Sequence, residues 1–100
     1  MAEVIWAEPA LTDLDRIADY IALDKPVAAE KFVQKVFDRV ELLSDFPKMG
    51  KRPRELPRST LYREVVVKPC RIFYRPTEKY VFIVHVMRGE QLLKVNKLER

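Results

Sequence analysis

Apolar positions change their spacing several times along this chain, and each change marks an element. Glu3 to Ala7, EVIWA, is short, β-branched and aromatic, which predicts a strand. It ends at Glu8 and Pro9, where proline suits the first turn of a helix. From Pro9 to Leu23 the residues Leu11, Leu14, Ile17, Ala18 and Ile21 recur at spacings of three and four, with Asp13, Asp15, Arg16 and Asp19 among them. That is one amphipathic helix. Pro26 closes it and opens a second, with Ala29, Phe32, Val33, Val36, Phe37, Val40 and Leu43 as its apolar set. So short a connection makes the two helices antiparallel neighbours.

The stretch SDFPKMGKRPRELPRST mixes prolines, a glycine and basic residues, and reads as an irregular, exposed loop. After it, Leu61 to Lys68, Arg71 to Arg75 and Tyr80 to Met87 are dense in Val, Ile, Phe and Tyr, and the breaks between them, PC and PTEK, suit hairpins. Three antiparallel strands in a meander follow. The whole is an α+β fold in the order β-α-α-β-β-β, a helical hairpin packed on a mainly antiparallel sheet. Alternation puts Arg63, Val65 and Val67 on one face of their strand, and Arg71, Phe73 and Arg75 together on theirs. One sheet face must cover the helices, and the arginine-bearing faces are assigned to the open side, with Val65, Val67 and Phe73 forming an apolar part of it. For the tail EQLLKVNKLER a short strand, a helical turn and a partly ordered arm all remain open.

One hundred residues suit a single domain, 1–100, because halves would be too small to sustain a core. Hydrophobic residues at 48% and charged ones at 34%, with two glycines, exclude disordered, collagen-like and low-complexity classes. The longest uncharged apolar stretch, Tyr80 to Met87, falls far short of the roughly 20 residues of a membrane span. The start MAEVIWAEPA shows no secretory pattern, and the single Cys70 builds no disulfide framework, so the cytoplasm is the expected compartment.

Charge is divided unevenly. Met1 to Pro47 holds ten acids against five bases (−5), while Lys48 to Arg75 holds nine bases against two acids (+7). Such a field attracts phosphate backbones or an acidic protein segment. Solvation of a surface loop is the plainer alternative.

A metal site is not expected from one His and one Cys, and no phosphate-cradling glycine motif is present, so no cofactor is assigned. Ser44, Ser59 and Cys70 lack any elbow or oxyanion signature around them. What remains is metal-free chemistry on RNA, which needs a base, cations for the transition-state phosphate and an acid for the leaving oxygen. Arg63, Arg71, Arg75, His85, Arg88 and the tyrosines supply those types. His85, within VFIVHVM, reads equally as a packed histidine with a satisfied ring nitrogen, and the arginines as solvated strand ends.

The run REVVVKPCRIFYRP followed by VFIVHVMRG, with Leu43, Phe46, Pro47 and Gly50 after the second helix, resembles the RelE/ParE superfamily of type II toxin-antitoxin toxins, and its ParE branch in particular. The resemblance extends over nearly the whole chain and implies the RelE/ParE-like fold. It also implies a toxin held inactive by a cognate antitoxin, in one of two modes. RelE-like members are ribosome-dependent mRNA endonucleases with clustered basic and aromatic residues, commonly with an aromatic or histidine near the C-terminus. Here no Tyr, Phe, Trp or His follows His85, and Arg88 and Gly89 stand where nucleases often carry a His-Arg pair. ParE-like members poison DNA gyrase by protein-protein contact.

The resemblance therefore implies a gyrase poison, with no catalytic residues and with Arg63, Arg71, Arg75 and Arg88 as target-binding residues. On the endoribonuclease alternative the set is Arg63, Arg71, Arg75, His85 and Arg88. A non-toxic antitoxin-binding corepressor is the third reading. The implied antitoxin supplies an acidic, amphipathic segment, for which Trp6, Leu11, Leu14 and Phe73 are the candidate contacts, with core as the rival reading for Leu14. Operator DNA would be met only indirectly, through the antitoxin, in a hetero-oligomer, and no membrane is involved.

Overall fold

The computed structural model of the chain describes residues 1–99. β1 (Glu3–Trp6) leads into α1 (Glu8–Ala22) and α2 (Pro26–Glu41), and a 3-10 turn (Leu42–Ser44) ends the second helix. β2 (Arg63–Val67), β3 (Cys70–Pro76) and β4 (Tyr80–Arg88) follow, with a last 3-10 turn at Val95–Lys97. The β-α-α-β-β-β order and the α+β class match the sequence reading.

Neither helix has a side-chain N-cap; each begins instead with a proline in its first turn, where the missing N–H leaves no bond unmade. Glu8 adds a carboxylate at the positive end of α1. α2 buries Ala29, Phe32, Val36 and Val40, a stripe at spacings of three and four, while α1 buries Ala10 and Leu14. Burying each large side chain of this kind contributes about 1.5–3 kcal/mol, and α1 directs its stripe at both α2 and β4.

The sheet order is β1-β4-β3-β2. β2, β3 and β4 form the expected antiparallel meander, with a cis Lys68–Pro69 peptide in the first turn. β1 lies parallel to β4, Glu3 opposite Tyr80 and Trp6 opposite Ile83, a pairing between distant parts of the chain. Past Ile83, β4 has no β1 residue opposite it.

Both sheet faces are covered. Val65, Val67, Ile72, Tyr74, Val81, Ile83 and Val86 meet the helices in the main core. On the other face Phe73 and Met87 are packed under Leu93 and Leu98, with Leu56, Tyr62 and Val84 around them. The described part of the tail, through Leu93 and Leu98, therefore covers this face, and Arg100 lies outside the described residues.

This corrects the assignment of faces. Arg63 pairs with Tyr74 and Val65 with Ile72, so the Arg63 face is the helix-packed one and lies opposite the face of Arg71 and Phe73. Val65 and Val67 are core, not part of an open apolar patch. Alternation fixes which residues of a strand share a face, but register decides which faces of neighbouring strands coincide.

Candidate functional site

The arginines singled out in the sequence do not form one constellation. Arg63, on the helix-facing side of β2, reaches back to the connecting segment and donates from Nη1 to the Gly50 carbonyl at 2.7 Å. That segment is tightly seated. The Tyr74 hydroxyl donates to the Pro47 carbonyl at 2.8 Å and accepts the Gly50 N–H at 2.9 Å. Burial raises the Tyr74 pKa, so the phenol stays a neutral donor. A Cβ on Gly50 would collide with the Glu64 carbonyl oxygen and lie 2.7 Å from the Tyr74 oxygen, which is why glycine stands there.

Arg71 is buried at 5% exposure, so it is not a surface group and cannot meet a target as the sequence reading had it. Its guanidinium bonds Glu64 through Nε and Nη2 and holds Glu55 with two bonds of 2.7 Å. It also lies 4.9 Å over the Phe73 ring. The hydrogen bonds from Arg71 are the main reason the Glu55 pKa falls to about 2, and the two carboxylates push the arginine pKa up in turn. Glu55 also accepts the Leu93 N–H at 3.0 Å, which ties the connecting segment to the tail. A buried cation between two carboxylates is a structural clasp.

Arg75, by contrast, stays half-buried with its guanidinium 5.1 Å over the Phe82 ring. Arg88 lies at the far end of β4 on the helix side, 5.4 Å over the Tyr20 ring and bonded to Glu90 at 2.9 Å. Arg63 and Arg88 thus sit on one side of the sheet and Arg71 and Arg75 on the other, so no single ligand face collects all four.

His85 is stacked on Phe73 with ring centroids 5.7 Å apart, and its Nδ1 lies 2.7 Å from Asp13 Oδ2. The same oxygen accepts the Val86 N–H at 3.2 Å. Asp13 thereby takes up the Val86 N–H on the part of β4 that β1 leaves unpaired. The pair borders a cleft of about 370 Å³ between α1 and the tail, also lined by Arg16, Gln91, Lys94 and Lys97. The sequence does not pair the two, because Asp13 and His85 are 72 positions apart in the chain. In the sequence Asp13 is one acid among several on a polar helix face.

Of the candidate antitoxin contacts, Leu14 at 3% and Phe73 at 0% exposure are core residues and offer no surface. Leu14 fills the α1 stripe, and Phe73 lies under the tail. Leu11 is exposed, and Trp6 is half-buried with its ring 5.1 Å from that of exposed Phe37. Phe37 belongs to this aromatic patch although its α2 spacing reads as core. Among the described residues no helix is long and apolar enough to cross a membrane, and no group of three His, Cys, Asp or Glu side chains could hold a metal ion.

Comparison with known proteins adds a consistent set of relatives. The family described as the ParE toxin of the type II toxin-antitoxin system, parDE, matches residues 4–93. Toxin RelE2 of Caulobacter vibrioides is 34% identical over 92 residues, which is 92% of this chain and all of that protein. A chain of the chromosomal ParDE toxin-antitoxin system from P. aeruginosa superposes with a TM-score of 0.76 at 28% identity, covering 90% of this chain and 98% of its own. A chain of the toxin-antitoxin complex RelBE2 from Mycobacterium tuberculosis shares the fold, with a TM-score of 0.58 at 21% identity over 87% of this chain and 96% of that one.

Proposed function

Because the chain belongs to the ParE toxin family of type II toxin-antitoxin systems, we propose that it arrests growth by contacting DNA gyrase and is neutralised by a cognate antitoxin. The observation that carries the choice of mode is the dispersal of the arginines. Metal-free RNA cleavage needs cations converging on one phosphate beside an acid and a base. Here Arg71 is consumed by Glu55 and Glu64, Arg63 by a backbone carbonyl, and the sheet face bearing Phe73 is filled by Leu93 and Leu98. A surface acting by contact has no such requirement, and Arg75 and Arg88 remain at the periphery for it.

The antitoxin would supply an acidic amphipathic segment whose apolar side chains meet Leu11, Trp6 and Phe37, with the basic connecting segment steering the encounter. Its relatives in the ParDE and RelBE2 assemblies support a toxin-antitoxin complex as the resting form.

One observation favours a second reading, ribosome-dependent mRNA cleavage. The cleft beside Asp13 and His85 brings a histidine near Arg16, Lys94 and Lys97, and one relative carries the name RelE2. Pulse-labelling in the minutes after inducing the chain without antitoxin separates the two. Thymidine incorporation falling before methionine incorporation is expected. Methionine falling first would overturn the gyrase reading and make His85 and Arg16 the residues to mutate. Uninterrupted growth would leave an antitoxin-binding corepressor.

A further inference from the structure

The segment between α2 and β2 is sorted by chemistry. Its acidic side chain and part of its apolar set turn inward: Pro53 is buried, Leu56 joins the tail-covered cluster and the Glu55 carboxylate is held by Arg71 and Leu93, while Met49 and Pro57 stay exposed. Its cations turn outward. Lys48, Lys51, Arg52, Arg54 and Arg58 are all exposed. Among the described residues no carboxylate lies within ion-pair reach of Lys48, Arg52, Arg54 or Arg58, and Lys51 comes only to 4.0 Å from Glu64. Although Glu55 lies within the run, it subtracts nothing from the outward face, because its charge is spent on a buried arginine.

The display is also preorganised. Gly50 is pinned by Tyr74 and Arg63, Lys51 exchanges backbone hydrogen bonds with Glu64, and Glu55 fastens the centre of the segment to β3 and the tail. Cations fixed by a rigid backbone lose less freedom on binding a regular array of negative charges.

From this sorting we infer that the 48–58 segment is a sequence-independent contact for the phosphate backbone of duplex DNA. Three features choose the ligand. The outward face carries one large exposed apolar side chain, Met49 at its start, and is otherwise set with cations, whereas protein interfaces deplete charge at their centre. No aromatic residue occurs from Pro47 to Leu61, so unpaired bases have nothing to stack on, which disfavours a single strand. Three of the five cations are arginines, whose planar fork suits phosphate oxygens. The choice of DNA over RNA rests on the gyrase reading, since a poison of gyrase works beside a DNA duplex; the backbone contact itself does not.

The test is fluorescence anisotropy of the purified full chain with a labelled 20-base-pair duplex, in two unrelated sequences, over a salt series. Both duplexes should bind alike, with log K falling against log salt at a slope of up to about −4.5 if all five cations meet phosphates. Arg52→Gln/Arg54→Gln/Arg58→Gln should weaken binding uniformly and flatten the slope by about 2.7, while the triple Lys variant at these positions keeps it. Lys25→Gln/Lys31→Gln/Lys79→Gln removes equal charge from exposed positions elsewhere and should leave the slope unchanged. An equal loss in that control, a preference above about tenfold between the two duplexes, or tighter binding of duplex RNA or polyglutamate than of DNA would each overturn the inference. The test uses naked duplex without gyrase, so it can fail while pulse-labelling still identifies replication as the target, and the reverse.

Discussion

Arg71 grips Glu55 through two parallel hydrogen bonds of 2.7 Å, Nη1 to Oε2 and Nη2 to Oε1, while Glu64 takes the opposite side of the same guanidinium. Three distant parts of the chain meet at that cation: β2 through Glu64, the connecting segment through Glu55, and the tail through the Leu93 N–H on Glu55. Removing it leaves two buried carboxylates facing each other. Arg71→Ala should destabilise the fold by about 3–5 kcal/mol, and Arg71→Lys should also lose stability, because an ammonium cannot match both forks. Urea unfolding monitored at Trp6 measures both, and an unchanged midpoint in Arg71→Ala would contradict the clasp.

Glu55 gives the clasp a pH dependence. Its pKa falls from 4.5 to about 2 on folding, so the folded state binds fewer protons there than the unfolded state between those values. The associated stability is complete above about pH 4.5 and drains away as pH falls toward 2. Its size is on the order of 3 kcal/mol. Glu55→Gln should be less stable than the parent at pH 7, and the gap between them should close by about pH 2. A gap that stays constant over this range would show that Glu55 titrates normally.

The Tyr74 hydroxyl satisfies both the Pro47 carbonyl and the Gly50 N–H in the interior. Tyr74→Phe leaves both without that partner and should cost about 1–3 kcal/mol. Gly50→Ala should be at least as damaging, since the added methyl meets the rigid Glu64 backbone and not a flexible chain end. If Gly50→Ala melted at the parental temperature, the close approach of β2 to this segment would be wrong.

Local patterns revealed the elements, and long-range register hid the site. The spacing of Phe32, Val36 and Val40 is enough to draw α2, and β-branched runs are enough to draw β2 to β4. Nothing near Arg71 in sequence shows that it is buried, because Glu55 lies 16 positions away and Glu64 becomes its neighbour only once the hairpin register is set. The β3 run CRIFYRP is buried on both faces, with Cys70, Ile72 and Tyr74 on one and Arg71 and Phe73 on the other, and such a strand does not declare which face the helices cover. The conformation of the tail is not legible for a related reason: Leu93 and Leu98 acquire a partner only when Phe73 and Met87 present one. His85 was visible as a candidate, yet its carboxylate comes from α1.

Cys70 is fully buried, and desolvation raises its pKa to about 11. At pH 8 its thiolate fraction is then about a hundredfold below that of a free thiol of pKa 9. Ellman's reagent should react with the native chain at least that much more slowly than with the chain in denaturant, and burial slows it further. Rapid labelling of the native protein would mean that the β2–β3 turn opens readily.

Arg75 separates contact from fold. Its guanidinium rests on the partly exposed Phe82 ring and makes no ion pair among the described residues, so Arg75→Glu forfeits a cation–π contact of about 0.5–1 kcal/mol and little else. Reversing a charge at the periphery of a steered interface acts instead on the rate of encounter. If the chain works by contact with gyrase, the variant should fold, bind its antitoxin, and need on the order of ten times more protein to halve supercoiling by purified gyrase. The nearby substitution Lys79→Glu, at an exposed position on the turn beyond β3, is the comparison that removes net charge from consideration. Equal inhibition by the parent and Arg75→Glu, with both antitoxin complexes intact, would make Arg75 an ordinary solvated residue and shift attention to Arg88 at the other end of the sheet.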